Sequence, residues 1–217
     1  MSEATATPRG TRKRERTRGE LVAAAERLVA QRGLDALSID EITEAADVAK
    51  GTFYTHFQDK DDLAAAMARQ IRLDLEDRIT RLNHGVKDAG VRMANGLATV
   101  LEFAIRQPVR ARALMRLIPG SVDPETQINA GIRADIVLGQ KTKVFQVPSP
   151  NAAVVVTLGT AMSAAMRLAE THAPVAAPYD FAADVIAIAL AGLGMNPAEA
   201  QRLARTTMDI RRKETQT

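Results

Sequence analysis

The stretch Ser38-Ile39-Asp40-Glu41-Ile42-Thr43-Glu44-Ala45-Ala46-Asp47-Val48-Ala49-Lys50-Gly51-Thr52-Phe53-Tyr54-Thr55-His56-Phe57-Gln58-Asp59-Lys60-Asp61-Asp62-Leu63 holds two short helices and the start of a long one, joined by tight turns. Ser38 and Glu41 have the spacing of a capping box: the hydroxyl accepts from the third helical amide and the carboxylate reaches back to the cap. Behind them Ile39, Ile42 and Ala46 make one apolar stripe, and the helix ends near Asp47. Val48-Ala49-Lys50-Gly51 breaks the pattern, and a second short helix runs from Gly51 to Phe57. Phe53 and Phe57 lie one helical turn apart and share a face, which directs Thr52, Thr55 and His56 elsewhere. Asp59 then caps a long helix whose apolar positions Leu63, Met67, Ile71, Leu75, Ile79 and Leu82 recur every three or four residues. Asn83-His84-Gly85 ends it.

Upstream, Leu21, Ala25, Leu28 and Val29 predict a helix over 20–31, stopped by Gly33. Three helices over 21–57, the last two joined by a tight turn, are the layout of a helix-turn-helix nucleic-acid reader. The third helix suits a major groove, because its outward residues Lys50, Gly51, Thr52, Tyr54, Thr55 and His56 are small or polar. Gly51 permits close backbone approach, and Thr52 and Thr55 can touch base edges. Tyr54, His56 and Lys60 can reach phosphates, and the helix end at Ser38 can present amides to one.

The net charge of +3 is uneven along the chain. Residues 1–18 carry six basic side chains against two acidic ones, or +4, which leaves −1 for the remainder. Such a segment reads as a flexible arm over 1–18, with Arg12, Arg14, Arg16 and Arg18 as phosphate or minor-groove contacts. Charge alone fits a solvated tail equally well.

The remaining sequence also predicts helices. Aromatic content is 3% of 217 residues, and no hairpin dipeptide separates alternating apolar runs. Helices are predicted over 91–106, 109–118, 123–145 (opened by Asp123-Pro124), 151–170, 180–193, and a last one capped at Asn196-Pro197. Val154-Val155-Val156-Thr157 is the one place where a buried strand competes, and it has no partner strand. The fold class is therefore all-α.

The absence of cysteine excludes disulfides, thiolate metal sites and cysteine nucleophiles, and suits a reducing, cytoplasmic setting. No uninterrupted apolar stretch reaches the ~18 residues of a membrane span, and no signal peptide is read at the amino end. His56, His84 and His172 are too scattered for a metal site, and Asp59, Asp61 and Asp62 are explained by helix capping. No nucleophile-base pair, phosphate loop or paired carboxylates in an apolar setting is present, so neither an enzyme nor a cofactor is expected.

The signature over 38–63, with Lys-Gly-Thr-Phe-Tyr-X-His-Phe followed by Asp-Lys-X-X-Leu, resembles the DNA-binding signature of the TetR family of bacterial transcriptional regulators. The resemblance covers about residues 17–65. It implies a helix-turn-helix DNA-binding domain over 19–65 and a helical effector-binding and dimerisation domain over 66–217. It further implies a homodimer, pairing through the last two main helices of the second domain, that binds a palindromic operator. A repressor released by a small, lipophilic effector leads. An activator of the same fold, or a helical ligand- or partner-binding protein that has lost operator binding, are the alternatives. Two positions depart from the family pattern: Asp47 stands where glycine is usual in the turn, and Ala49 where serine is frequent.

Met93, Phe103, Met115, Phe145, Met162 and Met166 are candidates for lining an effector cavity, since methionine adapts to varied apolar ligands; core filling explains them equally well. Arg106, Arg110, Arg112 and Arg116 could hold an anionic ligand group or form a solvated face.

Overall fold

The computed structural model describes residues 9–117, 129–170 and 172–214; the predicted cap at Asp123-Pro124 and the side chains of Arg12 and Arg116 lie outside the described set. The described residues form α-helices and no strand: α1 (Arg9–Arg32), α2 (Ile39–Ala45), α3 (Lys50–Tyr54), α4 (Lys60–Leu82), α5 (Ala89–Arg106), α6 (Pro108–Leu117), α7 (Ala130–Lys141), α8 (Pro150–Leu168), α9 (Pro178–Gly192) and α10 (Pro197–Glu214). Val154 to Thr157 are helical, inside α8.

Helix α1 corrects one expectation. Its helical backbone begins at Arg9, so residues 9–18 are not a flexible arm. Arginine, lysine and glutamate have unbranched side chains that lose little freedom in a helix, and Arg16 pairs with Glu20 one turn on (3.6 Å). Charge density was read as disorder, but helix propensity and continuity with the buried stripe Leu21, Ala25 and Val29 outweigh it.

Two apolar cores share α4. The first gathers Leu21, Ala25 and Val29 of α1, Ile42 of α2, Phe53 and Phe57, and Leu63 and Met67 of α4. Burying the two phenylalanine rings contributes about 1.5–3 kcal/mol each. The second core is built on α5, with Ala68 and Ile71 of α4 entering it beside Met93, Leu97 and Leu101 of α5, Ile136 of α7 and Ile186 and Leu190 of α9. Helix α6 touches both, because Ala113 belongs to the first core and Ala111 and Leu114 to the second.

Helix ends follow local chemistry. Asp59 caps α4 by accepting from Asp62 N at 2.8 Å, while Asp62 Oδ2 accepts from Gln58 N at 3.1 Å. Asp88 caps α5 and Ser149 caps α8. Pro150 is the first residue of α8, one before the predicted start, a position where a proline's missing amide costs no hydrogen bond. Helix α8 is long and apolar enough to cross a membrane by length and composition, and 39% of that window is buried in this fold.

Asp47 takes φ 53°, the left-handed conformation that closes the turn between α2 and α3. Aspartate adopts it at lower cost than branched residues, and glycine at none. Asp47→Val is expected to lower unfolding stability by about 1–2 kcal/mol, and Asp47→Gly to leave it equal or slightly higher, in urea denaturation.

Candidate nucleic-acid interface

The α2–turn–α3 unit is anchored from below. Phe53 and Phe57 are buried against α1 and α4, with ring centroids 5.7 Å apart, and Tyr54 projects outward at 55% exposure. Gly51 faces open space: a Cβ there would meet nothing within 4 Å. At Ala49 the start of α3 carries no side-chain cap, as the missing serine hydroxyl leads one to expect.

The capping box at α2 forms as the sequence predicts. Ser38 Oγ accepts from Glu41 N at 3.1 Å, and Glu41 Oε2 accepts from Ser38 N at 2.8 Å and from Ser38 Oγ at 2.9 Å. The Ser38 backbone and side-chain hydrogen bonds, joined by Arg32 (2.9 Å), hold the Glu41 carboxyl down to about 2. The Ser38 hydroxyl and amide are thus both engaged with Glu41, leaving less for a phosphate than the sequence suggests.

The other candidate contacts fall into two sets. Tyr54, Gly51 and Thr55 lie on the exposed surface of the α3 segment, with Thr52 and His56 half-buried beside them. The Thr55 hydroxyl donates to Thr52 O at 2.6 Å. His56 Nδ1 is buried without a hydrogen-bond partner. Burial, and then the charges of Arg14 and Arg18, lower its pKa, so the ring is neutral at neutral pH. Arg14 donates to Thr55 O at 3.2 Å and Arg18 stacks over the Phe57 ring at 4.8 Å, which brings α1 against the end of α3. Lys50 forms an ion pair with Asp40 of α2 at 2.9 Å.

Lys60 differs from the sequence reading. Its ammonium turns inward, donating to Leu37 O at 2.6 Å and Leu34 O at 3.4 Å. It ties the α1–α2 connection to the start of α4 by donating to two carbonyls of that connection that lie outside both helices. Only the tertiary fold brings residues 34–37 to Lys60, so no local signal marks this role.

A cavity of about 600 Å³ lies between α4, α5, α7 and α8. Of the six residues expected to line it, only Met93 does. Phe103 is a buried core residue, and Phe145 packs on Gly139, where a Cβ would overlap its ring. Met115 and Met162 are half-buried elsewhere, and Met166 is exposed. The cavity instead combines apolar Ile79, Leu97, Val100, Ile132 and Leu158 with polar Thr80, Asn83, His84, Arg92 and Asp135. An aspartate and an arginine interrupting the apolar runs of α7 and α5 are the signal that sequence reading passed over.

Of the arginine cluster, Arg106, Arg110 and Arg112 are engaged with groups of the protein itself, and Arg106 is exposed. Arg106 pairs with buried Glu102 at 3.2 Å, and Arg112 donates to Ala169 O at 2.6 Å. Arg110 of α6 bridges Glu26 of α1 (3.0 Å) and Asp74 of α4 (3.5 Å). Burial raises the Glu26 carboxyl even so, with Arg110 opposing.

The family model of the bacterial regulatory proteins of the tetR family matches residues 21–67. Residues 21–67 thus resemble the DNA-binding domain of the tetR family. Solved structures extend the likeness to the whole fold. RolR in complex with resorcinol is 26% identical, covering 89% of this chain and 95% of that one, with a TM-score of 0.58. A gamma-butyrolactone receptor, ArpA-like, is 20% identical, covering 91% and 98%, with a TM-score of 0.66. AibR in complex with isovaleryl coenzyme A and operator DNA is 13% identical, covering 79% and 97%, with a TM-score of 0.64. The match over residues 21–67 supports a role in transcription regulation.

The capping box gives a pH test. The folded Glu41 lies at about 2 against an ordinary 4.5, so its contribution is complete above 4.5 and is lost as pH falls toward 2. Glu41→Gln is expected to lose stability relative to the parent at neutral pH, and the gap to close on acidification, in thermal melts across that range.

Proposed function

We propose that this chain is a homodimeric repressor that binds a palindromic operator and is released by a small effector. The observation that carries the reading is α4: its first turns hold Leu63 and Met67 in the core under α3, and its last turns place Ile79 and Asn83 on the cavity wall. An effector that favours one position of that helix shifts the recognition helices it carries. Residues 19–65 serve as the reader and 66–217 as the sensor. Arg12, Arg14, Arg16, Arg18, Ser38, Lys50, Gly51, Thr52, Tyr54, Thr55 and His56 contact DNA, and Lys60 acts through the fold that positions them.

Dimerisation uses α8 and α9. Val155, Val156 and Met166 of α8 and Ile188 of α9 are exposed, with Val156 at 66% and Ile188 at 70%. An apolar groove of about 330 Å³, lined by Val156, Thr160, Ile188 and Leu193, lies between the two helices. The reading rests on these exposed apolar side chains and departs from the family resemblance, which implies the last two main helices, here α9 and α10. The likeness to RolR, solved with resorcinol, supports a small ligand for this chain.

Selection of genomic fragments with the purified protein is the direct test. Enrichment of a palindrome with half-sites about 34–36 Å apart, or a longer spacing, supports the reader; none at any salt concentration overturns it. On the selected operator, Tyr54→Ala and Arg14→Gln with Arg16→Gln are expected to weaken the gel shift, the arginine pair also flattening the salt dependence, with circular dichroism unchanged. Val156→Glu with Ile188→Glu is expected to yield a folded monomer in analytical ultracentrifugation.

A further inference from the structure

The cavity has a polar end built around one carboxylate. Asp135 of α7 is 8% exposed, and its Oδ1 accepts from Arg92 Nε of α5 at 2.6 Å. The arginine is locked in turn: Nη1 donates to Asn83 O at 3.2 Å and Val86 O at 3.4 Å, across the end of α4. Asn83 is buried and its amide group is engaged at both ends, with Nδ2 donating to Arg92 O and Oδ1 accepting from Asn95 Nδ2. The second oxygen of Asp135 is different. Among the described residues it has no hydrogen-bond partner, although its residue lines the cavity. The opposite wall, with Met93, Leu97, Val100 and Leu158, is apolar.

This pattern selects a ligand chemistry. A carboxylate oxygen in a mostly apolar cavity is stabilised by a donor, and leaving it unmatched is costly. The charge of Asp135 is balanced by Arg92 (2.6 Å) and that of Glu76, the other carboxylate of the lining, by Arg72 (3.6 Å), so neither calls for a cation. A ligand carboxylate would meet the Asp135 oxygen as a second acceptor and a like charge. We propose that the cavity binds a small neutral ligand with an apolar ring or skeleton and a hydroxyl group that donates to Asp135. The volume suits a ligand of one or a few rings. The proposal rests on the sensor reading above and narrows it to hydroxylated rather than purely lipophilic or acidic molecules.

The test is direct calorimetric binding to the full-length protein without DNA, using a naphthol, naphthalene, and the naphthoate with its carboxylate at the same ring position. The naphthol is expected to bind at least about tenfold more tightly than naphthalene, and the naphthoate more weakly than the naphthol. Asp135→Asn and Asp135→Leu should erase the preference for naphthol over naphthalene while naphthalene binding persists, which also shows that the cavity still folds. Leu97→Trp, which fills the apolar wall, should abolish binding of both. Equal affinity of naphthol and naphthalene in the parent protein, tighter binding of the naphthoate, or no binding by the three probes would overturn the proposal. A parallel gel shift separates the two readings: hydroxyl-selective binding without operator release sinks the effector assignment and leaves the ligand chemistry standing.

Discussion

One continuous helix with its apolar stripe divided between two cores is the constraint on which the rest of this structure depends. Leu63 and Met67 of α4 are closed over by α1 and α3, and Ile71, one turn further on, is closed over by α5. Because buried side chains are packed to solid-like density, α4 cannot slide in one core without disturbing the other. The reader and the cavity are therefore parts of one mechanical unit. Under the proposed function, reading DNA with α3 and sensing a ligand in the cavity would be alternative demands on the position of a single rod.

Charge pairs reinforce that coupling at three levels of α4. Asp74 and Glu26 are bridged by Arg110, which attaches α6 to both the first helix and the rod. Arg78 reaches buried Glu102 of α5 at 2.7 Å, a carboxylate that Arg106 and Arg211 also approach. At the far end the Asn83 carbonyl accepts from Arg92, whose guanidinium holds Asp135. A buried pair is weak evidence for net stability, but breaking one by removing a single partner is strongly destabilising. These contacts favour discrete positions of α4 over a continuum, which is what a switch between bound and released states requires.

Much of the reader was legible in the chain because its determinants are local. The Ser38–Glu41 box, the Asp59 cap, the Phe53–Phe57 face and the left-handed Asp47 each follow from residues within a few positions of one another. Local rules also failed in an instructive way at residues 9–18, where a dense run of arginine was read as a flexible arm although those side chains favour helix once α1 is nucleated behind them. The cavity was read poorly for a different reason. Methionine and phenylalanine serve a core and a ligand wall equally well, so composition could not separate Met93 from Phe145, which is held in place by the missing side chain of Gly139.

The amino-acid sequence by itself determined the all-helical class, the helix-turn-helix and the outward chemistry of α3, since helix periodicity and capping act over one to two turns. Tertiary structure decided what contacts over long sequence separations require. It turned Lys60 inward onto the carbonyls of Leu34 and Leu37, used Arg110 as a clamp, and brought Arg92 and Asp135 together at the end of the cavity. A lysine or aspartate has the same sequence signature whether it faces solvent, a carbonyl or a ligand. Which of these it meets depends on the packing of helices far apart in the chain, and no spacing rule encodes that.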